Sequence, residues 1–377
     1  MSQINVNTIT NLDETGGPVI VGITTVSGNF NVTGVSTISG LTYPTAGPLS
    51  NRNLIINGDM RIDQRNAGFG TAVGTATAGT YGLDRFWGYT GTGSVWTTSR
   101  VSTGNRDFPF ANRLQRANGS SSTSPIYWRQ IIESANCSYL AGQTVTLSFY
   151  VTAGADYSGS ALQVNIYTGT ASDEGATALK TAAWTSLATP LNSFITPTTT
   201  RTRYTFTATL GATVQEVAMG ITFTPSGTAG TNDFIDITGV QLEAGSVATL
   251  FEHRSHGDEL ARCERYYQQS WTGGASDATS YDGDLIACSV SNSTATLFGT
   301  TFLRQTMRAT PTLTEAGSGT LSSGWAIVTG SGTPVAKTSI LAAKADRRTI
   351  KLSVPVTGVS GGQAYTLIGN WTASAEL

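Results

Sequence analysis

Four carboxylates (Asp84, Asp233, Asp236 and Glu243) and two histidines (His253 and His256) are the side chains from which chemistry could be built here. Paired carboxylates can hydrolyse a glycosidic bond when they meet roughly 5 to 10 Å apart. Each of the four also has a structural reading. Asp84 is followed at once by Arg85 in "LDRFW", which predicts a charged pair or a turn contact, and Asp233 opens a strand-like stretch. The histidines stand three residues apart with no third ligand implied by spacing, so polar residues beside a helix start are the better reading than a metal pair. No G-x-S-x-G, HExxH or phosphate-binding glycine loop is present. Cys137, Cys263 and Cys288 form no CxxC and lie far apart, which reads as buried free thiols rather than a zinc site or a disulfide framework.

Binding without bond-making is the other chemistry on offer. Pyranose rings stack their apolar faces on Trp and Tyr while polar side chains take the hydroxyls. Trp87, Tyr89, Trp96, Tyr127 and Trp128 cluster in one part of the chain, and Trp271, Tyr281, Trp325, Tyr365 and Trp371 in another. The glycan-contact candidates are Trp87, Tyr89, Trp96, Trp128, Trp325, Tyr365 and Trp371. Most aromatics at strand positions pack inward, so only a few of these are expected to meet solvent.

The elements that must carry such residues are strands. Stretches such as "QTVTLSFYVT", "ALQVNIYTG" and "DFIDITGVQL" alternate polar with apolar or β-branched residues, and Gly and Thr-Pro clusters separate them. The fold class is therefore all-β. The chain has 377 residues, enough for two or three domains, and only 12% are charged where about 25% is usual. A net charge of -2 with no cluster of Lys and Arg excludes ordinary nucleic-acid binding, which needs cations to displace counterions from phosphate. No apolar run has the roughly 18 to 20 residues of a membrane helix, and the opening "MSQINVNTITNLDETGG" lacks the basic and apolar segments of a signal peptide. No membrane insertion and no export are expected.

The first 50 residues hold no Lys or Arg, and their only charges are Asp13 and Glu14. Within them, residues 22–40 repeat every six positions, with Gly22, Gly28, Gly34 and Gly40 in step and Val26, Val32 and Ile38 four places after a glycine. An even period keeps one face of an extended strand apolar throughout: Val26, Phe30, Val32 and Ile38 share it. One such ribbon cannot bury that face alone, so copies of the chain are expected to supply the neighbours, as a trimeric β-prism-like neck. A flexible Gly/Thr/Ser linker is the alternative.

The prolines of "LTYPTAGPLSNRN" close this segment. Residues 51–254 then read as one sandwich or jelly roll. In "RSHGDELARCERYYQQS", Ser255 and Asp258 make a capping box and Asp258 pairs with Arg262; Leu260, Cys263 and Tyr267 share a helical face. The spacing predicts a connecting helix over 255–271, with a smaller C-terminal β-sandwich over 272–377.

The strings "NLIINGDMRIDQRN", "YGLDRFW", "LAGQTVTLSFYV" and "VQLEAGSVATLFEHRSHGDELARCERYYQ", in this order, resemble the carbohydrate-binding-like jelly-roll module of tailed-bacteriophage tail fibres. The resemblance covers residues 51–271, and "RATPTLT" and "SAEL" are similar to the terminal domain that follows the module. The opening "INVNTITNLDETGGP" is similar to N-terminal arms of virion proteins from marine and cyanobacterial phages. The resemblance implies a homotrimeric, non-enzymatic structural protein of the virion, assembled in the host cytoplasm. Residues 1–21 would dock it onto other virion proteins, residues 22–50 would form the neck, and the jelly roll would contact host-surface glycan for adsorption. A capsid-associated head fibre or decoration protein and a glycan depolymerase are the alternatives. Modules of this kind often hold a structural calcium, but no Asp-rich loop places one here and no cofactor is expected.

Overall fold

A computed structural model describes residues 35–38, 41–44, 51–65, 71–72, 79–91, 95–270, 284–290, 296–316, 325–329, 334–335, 342–355 and 364–377. The chain divides into two compact units, Met1–Thr45 and Ala46–Leu377. In the first, β1 (Val35–Ile38) pairs antiparallel with β2 (Leu41–Pro44), with Ile38 opposite Leu41 and Val35 opposite Pro44. The last part of the hexad ribbon is thus extended, as expected. It finds a partner within its own chain, and the proline-containing stretch supplies it. Val26, Phe30 and Val32 lie outside the described residues, as does the side chain of Ile38.

The second unit is built on two six-stranded sheets. The first contains β4 (Thr80–Tyr81), β5 (Trp87–Thr90), β8 (Ile126–Ile132), β10 (Gly159–Gly169), β11 (Ala188–Ile195) and β13 (Glu216–Pro225) in the order β11-β10-β13-β8-β5-β4. The second contains β3 (Thr71–Ala72), β6 (Trp96–Ser102), β7 (Phe110–Arg116), β9 (Thr144–Ala153), β12 (Thr202–Thr209) and β14 (Phe234–Ala244) in the order β12-β9-β14-β7-β6-β3. Every pairing is antiparallel, and strands distant in sequence sit side by side, as in a jelly roll.

Alternation decides which side chains meet between the sheets. Val145, Leu147, Phe149 and Val151 of β9, Leu162, Val164 and Ile166 of β10, and Val217, Met219 and Phe223 of β13 are fully buried in one core. Each such side chain contributes about 1.5–3 kcal/mol by leaving water. Phe86 stacks on Trp128 at 4.2 Å, and Trp96 meets Phe223 edge-on at 4.8 Å.

A third, nine-stranded sheet follows: β15 (Tyr267–Gln269), β16 (Asp284–Val290), β17 (Thr296–Phe302), β18 (Thr312–Ala316), β19 (Trp325–Thr329), β20 (Pro334–Val335), β21 (Ala342–Ala345), β22 (Thr349–Pro355) and β23 (Ala364–Ser374). Its organiser is β23. The first half of that strand pairs with β16 and β19, and the second half with β15 and β18. Beyond it the chain docks onto the first sheet of the jelly roll. Leu377 joins Trp87, Tyr89, Ile131, Trp184 and Tyr266 in a second apolar cluster, which also includes Ala176 and Leu179 of the short helix α2 (Ala176–Lys180). Glu376 bonds to Arg65 at 2.8 Å and to the buried Arg85. Another short helix, α1 (Ser134–Cys137), precedes β9.

The helix α3 (His256–Glu264) starts as its capping box requires, with the Asp258 N–H donating to Ser255 Oγ at 3.1 Å. Asp258 and Arg262 pair at 3.4 Å on its exposed side. The helix is shorter than the spacing predicts. Cys263 is buried and Leu260 half-buried on it as expected, but Tyr267 belongs to β15, opposite Ser374. Adjacent Tyr266 and Tyr267 suit extended backbone better than helix, and β23 offers the ladder that the second one joins.

Candidate functional site

The carboxylates singled out for chemistry are each fixed by separate partners. Asp84 is buried and accepts the Gln64 N–H at 2.7 Å and Gln64 Nε2 at 2.6 Å. Burial raises its carboxyl to about 6, against the lowering pull of Arg65. Of the two readings for Asp84 and Arg85, the charged pair does not form and the turn does, closed by the Phe86 N–H donating to the Leu83 carbonyl at 3.0 Å. Arg85 has a positive φ of 73° and turns its guanidinium away to Glu376, the Ile131 carbonyl and the Tyr266 ring. Asp233 is enclosed with Arg116, and Glu243 accepts from Gln241 Nε2 at 2.8 Å and from Thr249 Oγ1 at 2.7 Å. His253 packs near Phe251 and Phe108, while His256 is exposed at the helix start. Among the described residues no three His, Cys, Asp or Glu side chains could hold a metal ion. Cys137 and Cys263 are buried free thiols, as expected; the Cys288 side chain lies outside the described residues.

The aromatic candidates are mostly interior. Trp96 and Trp128 are enclosed between the sheets, and Tyr365 and Trp371 are buried on β23. Trp87 and Tyr89 do point outward from the first sheet, but α2 and the chain end at Leu377 cover them. None of these six offers an open ring face in the single chain. The side chain of Trp325 lies outside the described residues, as do Trp271 and Tyr281.

An open concavity lies instead on the outer face of the second sheet. It measures about 450 Å³, inside the ~300–1,000 Å³ range of small-ligand pockets. Its floor is Asp236 and Thr238 of β14, Thr152 of β9 and Ala111 of β7; its rims are residues 102–105 and 199–201. Register explains the floor: Asp236 stands opposite both Arg113 and Thr152, and Thr238 opposite Tyr150. Arg113 grips Asp236 with two bonds of 2.7 and 2.8 Å. The carboxylate still has lone pairs to accept from a ligand.

The β6–β7 rim is stiffened by its own side chains. Asn105 Oδ1 accepts the N–H groups of Asp107 and Phe108 at 2.9 and 3.1 Å, and the Thr103 N–H donates to the Pro109 carbonyl at 3.0 Å. This orders Phe108 against Tyr150, with ring centroids 4.9 Å apart. Gly239 makes that approach possible. It has a positive φ of 59° at a bulge in β14, and a Cβ there would come within 2.8 Å of both rings. Arg201 on the other rim has its guanidinium 5.6 Å from the centroid of the Tyr150 ring and forms no ion pair among the described residues. The cleft thus combines hydroxyls, a carboxylate, a free-standing cation and nearby aromatic rings.

Of this set, sequence reasoning singled out only Asp236. The local signal for the rim was "STGNRDFPF", where Asn ahead of Asp-Phe suits an Asx turn. The floor depends on register between β7, β9 and β14, which no local pattern gives.

No protein-family model matches the sequence, and no curated protein matches it. Solved structures share partial likeness. A candidate sugar-binding protein from Bacteroides thetaiotaomicron is 16% identical with a TM-score of 0.32, over 52% of this chain and 100% of its own. The enzymatically active domain of tailspike protein 4 from bacteriophage CBA120 is 12% identical with a TM-score of 0.33, over 54% of this chain and 24% of its own. A CBM4 structure is 18% identical with a TM-score of 0.28, over 50% of this chain and 98% of its own. The fold itself rests on the strand order given above.

Proposed function

We propose that this chain is a non-enzymatic structural virion protein, a tail fibre of a tailed bacteriophage, and that it recognises host-surface glycan through the cleft on the second sheet. The observation that carries the glycan reading is the composition of that cleft. Thr152, Asp236 and Arg201 line one open space of about 450 Å³ together with Thr103 and Thr238, whose hydroxyls donate to the Phe108 and Phe110 carbonyls and keep lone pairs to accept. Such a set matches the alternating donors and acceptors of a saccharide. The fibre reading is supported by the long resemblance over residues 240–268 and by the lysine- and arginine-free opening segment. The non-enzymatic reading is supported by Asp84, Asp233 and Glu243, each buried and bonded to fixed partners. A homotrimer would suit weak individual sites, because several copies on one particle raise effective affinity.

The deciding experiment is binding of the full-length protein to purified host envelope polysaccharide, alongside Asp236→Ala. Wild type should bind without shortening the polysaccharide, and the variant should bind about tenfold more weakly, the loss of one charge-assisted hydrogen bond. Absence of binding overturns the glycan reading, and shortened product overturns the non-enzymatic one. Antibody labelling of virions tests placement: label on capsid faces would make the chain a capsid-associated fibre or decoration protein. Light scattering should give about three times 39.4 kDa, and a monomer would count against the trimer.

A further inference from the structure

Three arginines are buried among the described residues: Arg85, Arg116 and Arg129. Arg85 is matched to Glu376 and Arg116 to Asp233. Arg129, at 6% exposure, forms no ion pair among the described residues, and its Nη1 has no hydrogen-bond partner. It sits on the outer face of the first sheet, on the opposite side of the sandwich from the cleft.

Register places its neighbours. Arg129 of β8 stands opposite Gly220 of β13, which stands opposite Asn165 of β10. Asn165 is 2% exposed, and its Oδ1 likewise has no partner. Two unmatched groups, one cationic donor and one amide acceptor, therefore lie on the strands either side of Gly220. The bare glycine leaves room that the Tyr167 ring and the Arg129 stem occupy: a Cβ there would meet Tyr167 at 3.0 Å and Arg129 at 3.3 Å. Tyr167, Tyr89 and Tyr127 surround the guanidinium at 4.8, 5.3 and 5.4 Å, and Arg129 Nη2 donates to the Tyr167 hydroxyl at 3.5 Å. Lys180 lies 5.6 Å over the Tyr89 ring and adds positive charge to the same face.

Ring faces offset part of the cost of burying a cation, but a charge removed from water calls for a counter-charge. We propose that this face is a second binding site, for the anionic group of an acidic saccharide, with Arg129 taking the anion and Asn165 Oδ1 accepting a neighbouring hydroxyl. Tyr127 and Tyr167, the rings beside the guanidinium, are both half-buried. Approach is from the β11 edge, where Phe194 is 62% exposed. The ligand chemistry is a planar or tetrahedral anion carried on a sugar: a uronate carboxylate or a sulfate ester.

The test is calorimetric titration of the full chain with oligogalacturonate, with sulfated dextran oligosaccharide and with carboxyl-reduced oligogalacturonate. Either or both acidic probes should bind, which of them does so identifying the anion, and the reduced probe should not. Arg129→Gln should weaken that binding at least about tenfold. Asn165→Asp should also weaken it, by removing the amide and setting a carboxylate that repels the anion on the same face, across Gly220 from Arg129; this variant decides the matter if Arg129→Gln fails to fold. Asp236→Ala should leave acidic-probe binding unchanged, which separates this site from the cleft. Failure of both acidic probes to bind, or binding unaltered in both Arg129→Gln and Asn165→Asp, would overturn the proposal.

Discussion

Arg116 and Asp233 form an ion pair at 3.1 Å from which water is wholly excluded on both sides. Arg116 also donates to the carbonyls of Ser120, Ser122 and Gly227 at 2.7–2.8 Å, and Asp233 accepts from the Ser158 N–H and hydroxyl at 3.0 and 2.7 Å. One pair of side chains thus ties together several loops at one end of the sandwich. Removing either partner strands the other as a buried charge. Asp233→Ala is expected to cost about 3–5 kcal/mol in urea unfolding. A loss under about 1 kcal/mol would show that the pair is not holding the loops.

Stability should decline from mildly acidic to mildly basic pH, and Glu216 is the reason. Its side chain is buried at the start of β13 and accepts the Glu174 N–H at 2.8 Å. Burial first, and the hydrogen bond shared with Glu174 next, raise its carboxyl to about 8 from 4.5. The folded state therefore holds a proton that the unfolded chain has already released. Stability is lost as pH rises through that window and levels off above it. Chemical denaturation at a series of pH values should show this slope, and Glu216→Gln should flatten much of it. An unchanged slope in the variant would assign the effect elsewhere, with Asp84, raised to about 6, as the next group to replace.

Gly239→Ala should damage both the fold and the cleft. The backbone is left-handed there, and the new methyl would press on Phe108 and Tyr150. More than about 1 kcal/mol of stability should be lost, with glycan binding reduced in parallel. A variant of native stability and binding would mean that the β6–β7 rim tolerates displacement.

The buried thiols should be inert. Burial raises Cys137 to about 12 and holds Cys263 well above the ordinary thiol range. In a Cys288→Ser background, native protein should react with a thiol reagent only at the rate of unfolding. Rapid labelling at neutral pH would contradict the packing around both.

Local features were readable from the sequence, and paired ones were not. The Ser255 cap depends on residues three apart, and the strands β9, β10 and β14 follow from alternation within ten or so residues. Which face of an alternating strand is covered depends on distant elements. Tyr127 and Trp128 are adjacent, yet one is half-buried on the outer face and the other enclosed. Trp87 and Tyr89 read as surface candidates because nothing near them in sequence indicates that α2 and Leu377 cover them. At Asp84 and Arg85 adjacency indicated the turn but not the absence of an ion pair, because a left-handed backbone at Arg85 sends the neighbouring charges in different directions. Asn57 in "INGDM" illustrates a motif whose purpose emerges only in three dimensions. Its side chain donates to the Ile62 and Asp84 carbonyls and accepts the Ile62 N–H, pinning the segment before β4.

The contact between Arg85 and Glu376 spans 291 residues. A ribosome delivers the arginine long before the glutamate, and the ring cluster around Trp87 and Tyr89 long before Leu377 seals it. Every growing chain therefore carries an unneutralised guanidinium and an open aromatic seam until synthesis has passed the distal sheet. A chain that stops short of Glu376 and Leu377 keeps that guanidinium unpaired and that seam open.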